Sequence, residues 1–248
     1  MRSVAIIPAR LRSTRFPEKP LAPILGQPMI VRVATIAAQA LGRDHTYVAT
    51  DDARIAEVVE AAGYAVVQTS PDALTGTDRV AEAAQSIDAD CFINVQGDEP
   101  MLAPESIQSV AEAAQQYPEA VINAYAPIEP PEDPHDPNLP KCVMASDGRL
   151  LYLSRAALPA GKSPSQYPQT HDKQVCVYAF RRSHLEVFAT FGGKAPCEQY
   201  EDIEILRFLD LGVTVRMIRL PGNTIAVDRP EDVARVEAAL QHGETCAV

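Results

Sequence analysis

Residues 4–20 read VAIIPARLRSTRFPEKP, a short apolar run followed at once by a loop rich in cations. The four apolar residues Val4–Ile7 end at Pro8, and this pattern predicts a short parallel strand that is buried on both faces. In an open α/β sheet, the loops at the carboxyl ends of the strands form the ligand crevice. We therefore expect the loop after Val4–Ile7 to face a ligand.

The charge of this loop indicates the kind of ligand. Residues 1–19 contain five cations and one carboxylate, although the whole chain has a net charge of −11. Arginine grips phosphate oxygens in pairs and lysine adds a compact charge, so the loop suits a polyphosphate. Neither the Walker pattern GxxxxGK[ST] nor the dinucleotide pattern GxGxxG occurs in the chain, which leaves a phosphate site of another type. The alternative is an ordinary solvated surface loop.

Strand and helix patterns alternate as far as residue 116. Apolar residues at helical spacing predict helices that lie between short apolar strands, and Pro104 begins one of these helices. The predicted strands after the first are Thr46–Ala49, Ala65–Gln68 and Cys91–Val95. The predicted helices are Met29–Ala40, Arg54–Ala62, Thr77–Ser86 and Pro104–Gln116. This order predicts an α/β fold with a doubly wound, mostly parallel sheet.

The alternation stops near residue 127. The stretch Ala126–Pro140 contains six prolines and predicts a long irregular connection. Strand-like segments follow, and we expect residues 127–210, approximately, to form an antiparallel insert within a single domain of residues 1–248. The predicted strands are Lys141–Met144, Arg149–Leu153, Val175–Phe180 and Val213–Leu220. The predicted helices are Ser183–Phe191, Glu201–Leu209 and Pro230–Gln241.

The composition limits the class of protein. Hydrophobic residues make up 46% of the chain and charged residues 22%, which is typical of a globular protein with a sizeable core. The acidic net charge argues against nucleic acid and membrane surfaces as partners. The five cysteines form no CxxC pair, so we expect reduced thiols in a cytoplasmic protein and no zinc site.

Two aspartates follow apolar segments and could face the cationic loop. Asp98 comes directly after the predicted strand Cys91–Val95, and Asp228 precedes the helix that begins at Pro230. Each has a plain structural alternative, since Asp98 could close a turn and Asp228 could cap the helix. Together they would suit Mg²⁺, which prefers one or two carboxylates combined with phosphate oxygens and water.

Six motifs carry a resemblance to a known family. They read IPARxxSTRxPxKP at 7–20, VATDD at 48–52, TGTDR at 75–79, NVQGDEP at 94–100, LYLSR at 151–155 and VDRPED at 227–232. In this order they resemble the CMP-Kdo synthetases, the 3-deoxy-manno-octulosonate (Kdo) cytidylyltransferases. The resemblance implies a nucleotidyltransferase fold of the glycosyltransferase-A type, CTP as substrate, Mg²⁺ as cofactor, a homodimer, and an insert that binds the acceptor.

Matching the motifs position by position implies roles for single residues. The nucleotide would be bound by Ala9, Arg10, Ser13, Arg15, Lys19, Arg79 and Gln96. The catalytic residues would be Lys19, Arg10, Asp98 and Asp228, of which Asp98 and Asp228 would hold Mg²⁺. Lys19 would neutralise charge that develops on the α-phosphate and on the leaving pyrophosphate. The reaction then needs positioning and charge stabilisation, with no protein nucleophile.

The resemblance also implies that the acceptor would be bound by Arg155, Gln174, Tyr178, Glu204 and Ile205, although this side matches the family only in part. Arg155, Tyr178 and Glu204 agree with the family motifs, whereas Gln174 stands where the family has His, and Ile205 where it has Gln. We expect the acceptor to be Kdo or a close 2-keto sugar acid, and because of Gln174 and Ile205 we expect Kdo itself to be used at low efficiency. A second possibility is transfer of CMP to another small anion such as a phosphonate, and a third is a nucleotide-sugar-binding protein without turnover.

Overall fold

The computed structural model describes residues 1–11, 15–163, 166–222 and 224–242. In these residues the strands are β1 Ser3–Ala9, β2 Pro23–Ile24, β3 Gln27–Pro28, β4 Thr46–Thr50, β5 Ala65–Gln68, β6 Cys91–Val95, β7 Val121–Pro127, β8 Lys141–Met144, β9 Leu150–Ser154, β10 Asp172–Arg181 and β11 Val215–Arg219. The α-helices are α1 Met29–Leu41, α2 Ala53–Ala61, α3 Gly76–Ala84, α4 Pro104–Gln116, α5 Arg182–Thr190, α6 Pro196–Glu201, α7 Leu206–Asp210 and α8 Pro230–Gln241. Short 3₁₀ helices span Lys19–Leu21 and Arg43–His45.

A mixed sheet forms the centre of the described chain. Its strands follow the order β11-β7-β10-β6-β1-β4-β5, and the hairpin β8–β9 is attached to β10. Neighbouring strands along this order are parallel except where β10 runs antiparallel to both β6 and β7. The predicted α/β class with a mostly parallel sheet and added antiparallel strands is therefore confirmed.

Both faces of the sheet are covered by helices, which explains why β1 is apolar at every buried position. Ala5 and Ile7 pack into a cluster that includes residues of α1 and α4. Val4 and Ile6 point to the other face and pack into a cluster that includes residues of α3, α5 and α7. A strand with helices on both sides must be apolar without alternation, as the sequence predicts for Val4–Ile7.

Two predictions on the second half of the chain differ from the structure. The strand predicted at Val175–Phe180 lies in the middle of the main sheet as part of β10, and only the hairpin β8–β9 lies outside the path of that sheet. The helix predicted at Glu201–Leu209 is wrong: Asp202 adopts a left-handed conformation with φ 51° and ends α6, and α7 begins at Leu206. The role of residues 127–210 in binding an acceptor and a second subunit stays a prediction.

Strand β7 was not predicted from the sequence. Its residues read VINAYAP, and all of them are buried or half-buried between β10 and β11. The buried polar Asn123 and the prolines that begin at Pro127 weaken the apolar pattern by which a central strand is recognised. Among the described residues, no helix is both long and apolar enough to cross a membrane.

A buried ionic cluster holds α3, α6 and α7 together. The Arg207 guanidinium, 1% exposed, donates to both carboxylate oxygens of Glu198 at 2.8 and 2.6 Å and to both of Asp78 at 2.7 and 3.2 Å. It also lies 3.8 Å from the centre of the Phe188 ring. The Glu198 side chain is fully buried as well.

Removal of one partner from this cluster should be costly, because it leaves a buried guanidinium with too few acceptors. We expect Glu198→Ala to lower the free energy of unfolding by about 3–5 kcal/mol, measured by urea denaturation. Glu57→Ala, at an exposed position of α2, is the control and should stay within about 0.5 kcal/mol of the parent. Equal stability of the two variants would contradict this role for Arg207.

Candidate active site

Two adjoining cavities lie at the carboxyl ends of β1 and β6. The larger measures about 500 Å³ and the smaller about 200 Å³. They share seven lining residues, which are Arg10, Arg15, Thr75, Gly76, Gln96, Asp98 and Asp228. A crevice at this edge of the sheet is where the strand order and the loop after β1 predict a ligand.

The residues predicted from the sequence are distributed unevenly over the two cavities, since the predicted acceptor residues line only the large one and the predicted nucleotide residues line the small one or both. The small cavity is lined by Ala9, Arg10, Arg15, Lys19, Arg79 and Gln96, all of them predicted to bind nucleotide. The large cavity is lined by Arg155, Gln174, Tyr178 and Glu204, all of them predicted to bind the acceptor. Both predicted metal ligands, Asp98 and Asp228, line both cavities. Ser13 lies outside the described residues.

Ile205 does not line either cavity, which corrects its assignment as an acceptor-binding residue. Its side chain is fully buried in the apolar cluster on the face of the sheet that is covered by α3 and α5. The neighbouring Glu204 faces the cavity, so the chain alternates between cavity and core at this point. An isoleucine here is a core residue and makes no polar contact with a bound molecule.

Lys19 connects the two aspartates. Its Nζ donates to Asp98 Oδ2 at 2.7 Å and to the carbonyl oxygen of Val227 at 3.1 Å, and lies 3.9 Å from Asp228 Oδ1. Burial opposes the charge of the ammonium group, but the attraction of Asp98 and then of Asp228 outweighs it, so the pKa of Lys19 is raised. Burial and the charge of Asp98 raise the pKa of Asp228, although Lys19 and Arg15 act against them.

Local backbone structure directs Lys19 into the site. Glu18 takes a left-handed conformation with φ 57°, and Pro20 sits inside the 3₁₀ helix that begins at Lys19. On the other side, the N–H of Val227 donates to the carbonyl oxygen of Asp98 at 2.9 Å. This bond ties the segment before α8 to the loop after β6, so the two carboxylates are held next to each other.

The arginines of the site differ in how far they are already paired. Arg79 is buried and ion-paired with Asp51 at 2.9 Å, and it also donates to Thr69. Arg155 donates to three backbone carbonyl oxygens at the rim of the large cavity. Arg10, by contrast, is exposed and makes no hydrogen bond or ion pair with any residue that the structure describes. Arg10 is therefore ready to receive an anion.

Gln96 lines both cavities and is hydrogen-bonded to Glu204, which lines the large one. The Gln96 amide donates to Glu204 Oε1 at 2.8 Å, and Glu204 Oε2 accepts from the N–H of Thr77 at 2.9 Å. Burial raises the pKa of Glu204. Gly76 permits this arrangement, because a Cβ at that position would lie 2.5 Å from the Gln96 amide nitrogen.

Three cations that could have bound an acceptor carboxylate already have protein partners. Lys141 donates to the carbonyl oxygen of Asp136 at 2.9 Å, and Lys173 is paired with Glu132. Arg207 is held in the ionic cluster with Glu198 and Asp78. Arg155 is likewise engaged with three backbone carbonyl oxygens, so Arg10, which has no such contact with a described residue, is the better candidate to face an anion.

Sequence reasoning missed two polar residues of the site. Glu99 lines the large cavity beside Asp98, and burial with the charge of Asp98 raises its pKa to about 7. Asp51 pairs with Arg79 beside the small cavity. Glu99 lies in the motif NVQGDEP and Asp51 in VATDD, so their positions within these motifs could have identified them as site residues.

A solved structure shares this architecture. CMP:2-keto-3-deoxy-manno-octonic acid synthetase in complex with CTP superimposes with a TM-score of 0.89 and 33% identity, over 98% of this chain and all of that one. The fold and the site together define a nucleotidyltransferase.

The family follows from the sequence comparisons. Residues 4–215 match the cytidylyltransferase family. The chain is 41% identical to the 3-deoxy-manno-octulosonate cytidylyltransferase of Myxococcus xanthus, over 97% of each chain. It is 40% identical to the 8-amino-3,8-dideoxy-manno-octulosonate cytidylyltransferase of Shewanella oneidensis, over 97% of this chain and 99% of the relative. The chain belongs to the cytidylyltransferase family.

The close approach of Gly76 to Gln96 allows the role of Gln96 in nucleotide binding to be tested. We expect Gly76→Ala to displace the Gln96 amide and weaken binding of the nucleotide about 2–10-fold, the value of one hydrogen bond, measured by isothermal titration calorimetry. Gly193→Ala is the control, because a methyl group there meets nothing within 4 Å. Unchanged affinity in Gly76→Ala would mean that Gln96 takes no part in binding.

Proposed function

We propose that the protein transfers CMP from CTP to a 2-keto sugar acid, Kdo or a close analogue, and releases pyrophosphate. The observation that carries the proposal is the lining of the two cavities that meet at Asp98 and Asp228. The predicted acceptor residues that face a cavity line only the large one, whereas the predicted nucleotide residues line the small one or both. Such an arrangement lets two substrates meet at one boundary, where the reacting atoms must lie.

The small cavity suits a triphosphate. Arg10, Arg15 and Lys19 surround it with positive charge at the end of β1, and Arg10 has no described partner to give up. The relative of known structure was solved with CTP bound, which supports CTP as the nucleotide. We propose the cytoplasm as the compartment of the reaction.

The acceptor class follows from the relatives and from the large cavity. Relatives that this chain resembles equally are named for Kdo and for its 8-amino analogue. The large cavity combines cations such as Arg155 with polar groups such as Gln174 and Tyr178, which fits an acid that also carries hydroxyl groups. A phosphonate acceptor has less support, because the two relatives described above are both named for sugar acids.

In the proposed reaction, a hydroxyl oxygen of the acceptor attacks the α-phosphorus of CTP. The new bond joins this oxygen to phosphorus, the bond from phosphorus to the bridging oxygen of the β-phosphate breaks, and the hydroxyl proton is released. Arg10, Arg15 and Lys19 would stabilise charge that moves onto the leaving pyrophosphate. The side chains hold the two reactants and form no covalent intermediate.

The donor set fits Mg²⁺ that arrives with the nucleotide. Asp98 and Asp228 are neighbouring carboxylates, and Mg²⁺ prefers one or two carboxylates together with phosphate oxygens. The described residues contain no group of three or more His, Cys, Asp or Glu side chains that could hold a metal without a ligand's help. When bound, Mg²⁺ would neutralise phosphate charge between these two residues.

A homodimer is the assembly that we propose, on the basis of the resemblance described above. Size-exclusion chromatography with light scattering gives the mass directly, against 26.8 kDa for one chain. A measured mass of one chain at assay concentration would contradict the proposed dimer. It would not bear on the proposed transfer reaction.

The pyrophosphate-release assay tests the function as a whole. We expect release with CTP and Kdo or 8-amino-Kdo that exceeds release with CTP and 2-aminoethylphosphonate, and a lower rate when UTP replaces CTP. Release with the phosphonate alone would favour the second candidate acceptor. Tight binding of CTP without release in the presence of any acceptor would indicate a binding protein.

Lys19 should act mainly in the transition state, because its charge faces the leaving group as negative charge develops there. We expect Lys19→Ala to lower kcat by about 10²–10³-fold with a smaller effect on the KM for CTP, measured by initial rates of pyrophosphate release. Arg54→Ala is the control: Arg54 pairs with Glu18 at the surface and lines neither cavity. Equal losses in both variants would refute the catalytic role.

Asp228 should be required for the metal. We expect Asp228→Asn to keep its fold and to lose turnover by about 100-fold or more over a titration of Mg²⁺, because one of two anionic ligands is gone. Asp210→Asn, at the exposed end of α7, is the control and should match the parent. Full activity of Asp228→Asn at low Mg²⁺ would remove Asp228 from the metal site.

A further inference from the structure

A buried amide pair lies at the floor of the large cavity. Gln174 lines this cavity from β10, and its Nε2 lies 2.9 Å from Oδ1 of Asn123 on the neighbouring strand β7. Asn123 is fully buried, and Gln174 is 8% exposed. Asn123 belongs to none of the motifs quoted above, and no role is assigned to it in the reaction.

The surroundings of Asn123 fix which way its amide points. The Asn123 Nδ2 donates to the carbonyl oxygens of Val175 and Val177, each at 3.0 Å. A carbonyl oxygen can only accept, so the Asn123 nitrogen must face these two groups and its oxygen must face Gln174. Because that oxygen also only accepts, Gln174 must turn its own nitrogen towards Asn123.

The carbonyl oxygen of Gln174 is then directed away from Asn123. It accepts no hydrogen bond from any residue that the structure describes. It is also not one of the fully buried side-chain atoms that lack a partner, so it keeps contact with solvent. Since Gln174 lines the large cavity, this oxygen is available to a molecule bound there.

The same asparagine holds the shape of β10. Val175 pairs with Ala124 and Tyr178 pairs with Asn123, so β10 carries two extra residues, Cys176 and Val177, between adjacent positions of β7. The carbonyl oxygens of Val175 and Val177, released from regular pairing, are the two acceptors of Asn123. A bulge beside a site re-aims side chains, and here it brings Cys176 and Tyr178 to the same cavity as Gln174.

We propose that Asn123 is a positioning residue that fixes the Gln174 amide with its carbonyl oxygen towards the acceptor, so that the site selects a sugar acid with a hydrogen-bond donor at this point. This inference rests on the proposed function, because it assigns the acceptor to the large cavity. The donor is a hydroxyl or an ammonium group, and a carbonyl oxygen binds the ammonium group more strongly.

The first test removes the acceptor oxygen while keeping the length of the side chain. We expect Gln174→Met to lower kcat/KM about 2–10-fold if the donor is a hydroxyl and about 10–100-fold if it is an ammonium group, with KM for CTP unchanged. Kdo and 8-amino-Kdo are compared in parallel. Equal losses identify a hydroxyl common to both, whereas a larger loss with 8-amino-Kdo identifies the ammonium group.

The second test separates positioning from simple support of the fold. Asn123→Ala should raise the KM for the acceptor and leave the KM for CTP unchanged. In the Gln174→Met background it should lower kcat/KM little further, because Asn123 and Gln174 act through the same oxygen. Gln108→Met is the matched control, since Gln108 on α4 donates to the carbonyl oxygen of Ala40 on α1 and lines neither cavity.

Three outcomes distinguish the possible failures. Unchanged acceptor kinetics in Gln174→Met would overturn the inference even if Asn123→Ala does not fold. Fully additive losses in the double variant would overturn the positioning role of Asn123. Absence of turnover with either sugar acid in the unmodified protein would instead remove the proposed function on which the inference rests.

Discussion

The ammonium group of Lys19 lies between two carboxylates that come from distant parts of the chain. Asp98 follows the central strand β6, whereas Asp228 precedes the last helix, α8. A third apolar cluster, which includes Met29, Met101, Val227 and Val236, packs this helix against the start of the chain. The position of Asp228 therefore depends on apolar packing around Val227, and the charge of Lys19 offsets the repulsion between the two aspartates.

The antiparallel strand β10 joins the two halves of the site. Its pairing with β6 places it beside the loop that carries Gln96 and Asp98, and the N–H of Gln96 donates to the carbonyl oxygen of Cys176 at 3.2 Å. The N–H of Cys176 in turn donates to Glu99 at 3.2 Å. Because both contacts are made by backbone groups of Cys176 at a bulge, the loop after β6 is tied to β10, which on the proposed function connects the nucleotide side with the acceptor side.

The sequence was informative where function depends on consecutive residues and less so where it depends on tertiary packing. The loop after β1 and the segment around Asp98 were identified because charge and glycine occur in fixed order after an apolar strand. Ile205 was misassigned because alignment with a motif does not reveal whether a side chain points to a cavity or to the core. The strand β7 was missed because Asn123 is polar, and it is tolerated in the core only because three partners, Val175, Val177 and Gln174, satisfy its amide.

Internal ion pairs hold the cations of the site in place, and on the proposed function this is how an acidic chain can bind a polyphosphate. Most cations of the site are neutralised by the protein itself, as Lys19 is by Asp98 and Arg79 by Asp51. An anion that draws Lys19 away leaves Asp98 without its ion pair, while Asp228 keeps Arg15 at 3.2 Å, and a divalent cation beside Asp98 would then restore the balance of charge. On the proposed function, binding of the nucleotide and binding of Mg²⁺ must then strengthen each other, since coupling between two sites is reciprocal.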